Sequence, residues 1–150
     1  MSMQAGTIRW YALERVLAAL AAAICLVVTA IIWASVSQQQ EMWPLPAMYF
    51  VEVAAASLLG LWGIYRRDAR GALLAWAAAG ALFGFTILGA LSVGFFYLPV
   101  AGLLGLAALW QDRQSLRRLP LHLGLALLAL VAQAVLMLSL IRWLYPGTSF

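Results

Sequence analysis

Apolar residues run along this chain in long stretches, broken at a few places by short polar segments. Crossing a hydrocarbon core of about 30 Å takes roughly 20 helical residues, so each stretch can be measured against that length. The first predicts a transmembrane helix over about 10–35. It ends at the polar segment 36–46, where Pro44 and Pro46 complete the break. A second span is expected over about 47–65, stopping at Arg66, Arg67, Asp68 and Arg70.

From residue 71 to residue 111 there is no formal charge. As one helix this stretch would be about 60 Å long at 1.5 Å per residue, twice the hydrocarbon thickness. It must therefore fold back. Residues 92–99 are the best place, because Gly94 and Pro99 break helices and Phe95, Phe96 and Tyr97 suit an interface. Spans are expected over about 71–91 and 95–110. A polar segment from Gln111 to Arg118 follows, and Pro120 can occupy the first turn of a last span over about 120–143.

Composition agrees. Of 150 residues, 66% are hydrophobic and 9% charged, against about 25% charged in an average soluble domain. A soluble chain of this length buries only about 70% of its unfolded surface and needs polar residues for the rest. The expectation is an all-α polytopic membrane helical bundle, a single transmembrane domain over 1–150 with five transmembrane helices. Cys25 is the only cysteine, which excludes an intrachain disulfide and any multi-cysteine metal site. The run Val16–Ala34 is too long for a secretory signal core, and Ile24 is too large to precede a lipoprotein processing cysteine. It reads as a retained first span.

The charges orient the bundle. Arg9 and Arg15, then Arg66, Arg67 and Arg70, then Arg113, Arg117 and Arg118 fall on one side, leaving Glu41 and Arg142 on the other. The positive-inside rule makes the Arg-rich side and the N-terminus cytoplasmic and the C-terminus extracytoplasmic, in a cell membrane of the bacterial inner type. Aromatics at headgroup level fit: Trp10, Tyr11, Tyr65 and Trp110 inside, and Trp33, Trp43, Tyr49, Tyr97, Trp143 and Tyr145 outside, with Trp62 and Trp76 deeper. Residues 50–68 align without gaps on 95–113, a match that a helical duplication or a plain alanine and leucine bias would explain.

Few residues are candidates for chemistry. Glu52 lies about one turn inside the second span, where an ionisable group is a functional hypothesis by default. The favoured reading is that it snorkels to the headgroups or pairs with Arg142 at similar depth. Gln133 is near the midplane of the last span, with Ser57 and Cys25 at comparable depth, suiting bonds between helices or a solute site. His122, the only histidine, is expected at the cytoplasmic interface, bonded to lipid or backbone. The less favoured reading is a ligand to a pigment or haem shared with a partner chain. Arg66, Arg67, Arg117 and Arg118 could hold an anionic lipid headgroup or serve only as topology signals. Ala56 with Gly60, Gly80 with Gly84, and Ala101 with Gly105 stand at helix-packing spacing.

No nucleophile elbow, zinc, P-loop or dinucleotide motif is present. The loops on the Arg-rich side are too short to fold, and nothing points to nucleic acid. The expected function is a small accessory subunit of a larger membrane complex, such as an energy-converting one, packed among lipids and other integral-membrane subunits and without catalysis or cofactor. The alternative is a small transporter or binding protein for an apolar or lipid-like ligand, lined by Glu52, Gln133 and Arg142.

Overall fold

Each apolar stretch forms a helix. The computed structural model describes residues 2–37, 45–89, 93–113 and 116–144, with side chains from Ala12 onward apart from residues 45, 46 and 116. Its helices are α1 (Ser2–Val36), α2 (Leu45–Arg66), α3 (Ala69–Leu88), α4 (Leu98–Asp112) and α5 (Leu119–Leu144). Short 3-10 turns at Gly94–Tyr97 and Leu116–Arg118 lead into α4 and α5. Together with the turn that precedes α4, all five are long and apolar enough to cross a membrane. No strand occurs among the described residues. Glu41, Trp43, Tyr145, residues 90 and 91 of the expected third span and residue 92 of the expected turn lie outside the described residues, as do the side chains of Arg9, Trp10 and Tyr11.

The charge-free stretch folds back as expected, but with a longer turn. The last helical bond of α3 runs from the Gly89 N–H to the Phe85 carbonyl, 2.8 Å away, and Gly94 N–H bonds the Gly89 carbonyl, also at 2.8 Å. A Cβ on Gly94 would collide with the Gly89 backbone, so the two glycines let the chain cross itself here. Residues 94–97 wind as a tighter 3-10 turn. α4 therefore starts at Leu98 rather than near 95, with Pro99 in its first turn, where a missing N–H costs no bond.

α3 is the centre of the bundle, packed on α2, α4 and α5, while α1 covers α2 and α4. α5 leans almost wholly on α3. The core is rich in alanine: Ala18, Ala21, Ala75, Ala79, Ala101, Ala107 and Ala108 are buried, alongside Leu82, Leu104 and Tyr97. Small side chains let helix axes approach closely, which is what lipid-embedded helices need when no hydrophobic drive separates them from the solvent. Tyr97 lies in this core rather than in an outer aromatic belt. Its hydroxyl shares a hydrogen bond with Thr29 (3.0 Å), and its ring meets Phe85 edge to face at 5.4 Å.

The small-residue pairs divide by environment. Gly80 and Gly84 form the seam with α5, where an added Cβ would strike the backbones of Ala126 and Leu130 respectively. Gly60 faces Leu104 and Ala78, while Gly63 and Gly71 bring α2 and α3 together, a pair the spacing argument passed over. Ala101 is fully buried, but beside Gly105 an added Cβ would make only an ordinary contact with Phe83 at 3.4 Å. Positions that a duplication would equate also differ: Phe50 is buried, whereas Phe95 is 63% exposed.

Candidate functional site

The strongest polar cluster gathers at the Arg-bearing end, where the end of α4 meets the first turns of α3 and α5. Asp112 closes α4, and His122 sits one turn into α5 just after Pro120. Both are buried, 5% and 4% exposed. One oxygen, Asp112 Oδ2, accepts a hydrogen bond from Trp76 Nε1 of α3 (2.9 Å) and bonds Nδ1 of His122. The indole and imidazole rings stand 6.4 Å apart. Three helices thus converge on one oxygen, and the pair ties α5 to α4, with which it otherwise shares little packing.

His122 is therefore inside the bundle rather than at a lipid interface. The carboxylate that holds it, Asp112, looks in sequence like one more loop charge beside Arg113. A usable signal existed: Ala101, Leu104, Ala108 and Asp112 recur at helical spacing, all buried on one face of α4. Among the described residues, no three His, Cys, Asp or Glu side chains gather to hold a metal ion.

Glu14 is a second buried acid that the sequence reading passes over. It continues the stripe Ala18, Ala21 and Cys25 on α1, is 4% exposed, and pairs with Arg67 at 3.4 Å. Arg67 sits in the turn between α2 and α3 with a φ of 56°, a left-handed conformation that costs an ordinary residue roughly 1 kcal/mol. That turn delivers its guanidinium to the buried acid. Arg66 bonds Asp68 at 2.9 Å and covers the Trp62 ring, and Arg15 covers Tyr65. Asp68 also caps α3 through Gly71 N–H (2.6 Å). That bond first, and Arg66 after it, hold the Asp68 carboxyl below the usual carboxylate range. Arg66 and Arg67 are thus engaged with acids of their own chain, whereas Arg117 and Arg118 lie in the 3-10 turn before α5, Arg117 exposed and Arg118 exposed beside it.

The expected Glu52–Arg142 pair does not form. α3 stands between α2 and α5, so equal depth does not make these residues neighbours. Glu52 is half-buried on α2, and Arg142 is exposed near the end of α5. Cys25 Sγ donates to the Val53 carbonyl at 3.7 Å, and Ser57 donates back into its own helix at 2.9 Å. Neither bonds Gln133.

Gln133 is the second notable site. It shares a face of α5 with His122 and Met137, is 8% exposed, packs over Gly84, and leaves Nε2 without a hydrogen-bond partner. An unsatisfied buried amide costs about 1–3 kcal/mol. Its side chain borders a cavity of about 320 Å³ between α2 and α5, floored by Leu74, Ala77, Ala78 and Ala81 of α3 and flanked by Ala56, Leu59, Ala132 and Leu136. The cavity opens to the outer surface of the bundle, so it is a groove rather than a sealed void.

No family model, curated protein or solved structure matches the chain.

Proposed function

We propose that the chain is a small multi-pass subunit of a larger membrane complex, seated by helix packing and performing no catalysis of its own. Its Arg-bearing end faces the cytoplasm and its C-terminus the opposite side, as the positive-inside rule directs. The observation that supports this reading is the largely apolar, alanine-floored groove over α3 between α2 and α5, open to the outer surface of the bundle. The polar cluster at the other candidate site is consumed internally: Asp112 is occupied by Trp76 and His122 and cements three helices. A transporter lined by Glu52, Gln133 and Arg142 has less support, because of these three only Gln133 borders the groove.

Extraction in a mild detergent followed by size-exclusion chromatography tests the reading. The 16.3 kDa chain is expected to elute in a much larger particle, with other integral-membrane chains in fixed ratio. Elution as a lone monomer or homodimer would refute it.

A further inference from the structure

We propose that Arg70, Arg117 and Arg118 form a binding site for the headgroup of an anionic phospholipid, at the corner where α3 and α5 begin. The proposal rests on the membrane-spanning reading of the helices and is independent of whether the chain serves as an accessory subunit.

Three observations select this ligand. The first is register. Trp76 meets the His122 ring, and an added Cβ on Gly80 or Gly84 would meet the backbone of Ala126 or Leu130. Each step of one turn along α3 is matched by one turn along α5, so the two helices run parallel in constant register. Carried less than two turns further toward the Arg-bearing end, that register sets Arg70 level with the 3-10 turn that holds Arg117 and Arg118. Helices in close contact have axes about 8–10 Å apart, a separation that one phospholipid headgroup bridges.

The second is charge. Every acid at this end is already occupied: Glu14 by Arg67, Asp68 by Arg66 and the α3 cap, and Asp112 by Trp76 and His122. Glu52 lies toward the opposite end of α2. Among the described residues no acid pairs with Arg70, Arg117 or Arg118, and all three are exposed. Their guanidinium forks match the oxygens of a phosphate. A zwitterionic headgroup would bring a cation of its own to the same corner, whereas an anionic one does not.

The third is what adjoins the arginines. Leu121 and Leu123, the next outward positions of α5, are 67% and 50% exposed, and Leu73 of α3 is 37% exposed. Leu121 is about 5 Å deeper than Arg118 at 1.5 Å per residue. Cations placed directly above an apolar flank fit a ligand with a charged head and acyl tails, which free phosphate lacks.

The test replaces Leu121, or Phe95 at the opposite end of the bundle (63% exposed), with a photoreactive amino acid. The full chain, with any chains that accompany it on extraction, is placed in bilayer discs of phosphatidylcholine with a minor share of phosphatidylglycerol of the same acyl chains. The mass of the captured lipid identifies its headgroup. Position 121 is expected to capture phosphatidylglycerol about tenfold above its share of the bilayer, and position 95 to capture the two lipids in bilayer proportion. Arg117→Gln with Arg118→Gln should remove the excess at 121 and leave capture at 95 unchanged, while Lys at both positions should retain most of it. Arg142→Gln, at the far end of α5, should have no effect. Capture at 121 in bilayer proportion, an equal excess at 95, or an excess that survives the paired Gln substitutions would overturn the proposal. So would a protein adduct at 121 in place of lipid. Loss of the excess on adding inorganic phosphate at constant ionic strength would assign the arginines to free phosphate and overturn it as well.

Discussion

Asp112→Ala is expected to destabilise the bundle by about 2–5 kcal/mol, the cost of leaving two buried hydrogen-bond partners unsatisfied at about 1–3 kcal/mol each. The loss exceeds that of one hydrogen bond because two donors are orphaned together: Trp76 Nε1 and His122 Nδ1 both end on the same oxygen, in a site almost closed to solvent. Asp112→Asn separates geometry from charge. Because both bonds converge on Oδ2, an amide oxygen in that place still accepts both, and only their charge-assisted strength is lost, about 1 kcal/mol. Unfolding by denaturant titration in detergent micelles should rank wild type, Asn and Ala in that order. A double-mutant cycle of Asp112→Ala with His122→Ala should reveal coupling of at least about 1 kcal/mol. Additive losses would show that the Asp112–His122 bond contributes nothing of its own.

Gly80→Ala is the second large effect. The added methyl would meet the carbonyl oxygen, carbonyl carbon and Cα of Ala126, all backbone atoms, so no rotamer change relieves it and α5 itself must shift. Overpacking typically costs about 1–3 kcal/mol, and here it strikes the seam on which α5 chiefly depends. The expected outcome is a loss toward the upper end of that range, with protease sensitivity confined to α5. Gly124 is the control, because a methyl added there, on α5 itself, would meet nothing within 4 Å. Gly124→Ala should be neutral or raise stability by up to about 1 kcal/mol through helix propensity. Equal losses at Gly80 and Gly124 would place the α3–α5 seam elsewhere.

Hydropathy locates the helices well because the bilayer imposes a length that apolar runs either meet or miss. Their ends are harder. Leu88 and Leu98 as boundaries depend on the Gly89–Gly94 contact, a feature of backbone geometry and not of hydropathy. The polar sites are only half readable, for a reason Asp112 and Glu14 share. Next to arginine, an acid in a membrane protein reads as part of a loop, although its phase with Ala108 or Ala18 marks the buried face. Glu52 and Arg142 illustrate the complementary difficulty. Sequence yields the depth of a residue on its own helix but not which helices adjoin, and the insertion of α3 between α2 and α5 separates two groups at similar depth. Depth singles out Gln133, while its missing partner becomes visible only once the packing around Gly84 is known.

The proposed topology has five crossings with the termini on opposite sides, and the positive-inside rule then puts the Arg-bearing end in the cytoplasm. Paired reporters fused after Phe150 and before Met1, one active only in the cytoplasm and one only outside it, measure this directly. A C-terminal fusion active only outside and an N-terminal fusion active only in the cytoplasm is the predicted result. Both termini on the same side would contradict it, by showing that one of the five helices does not cross.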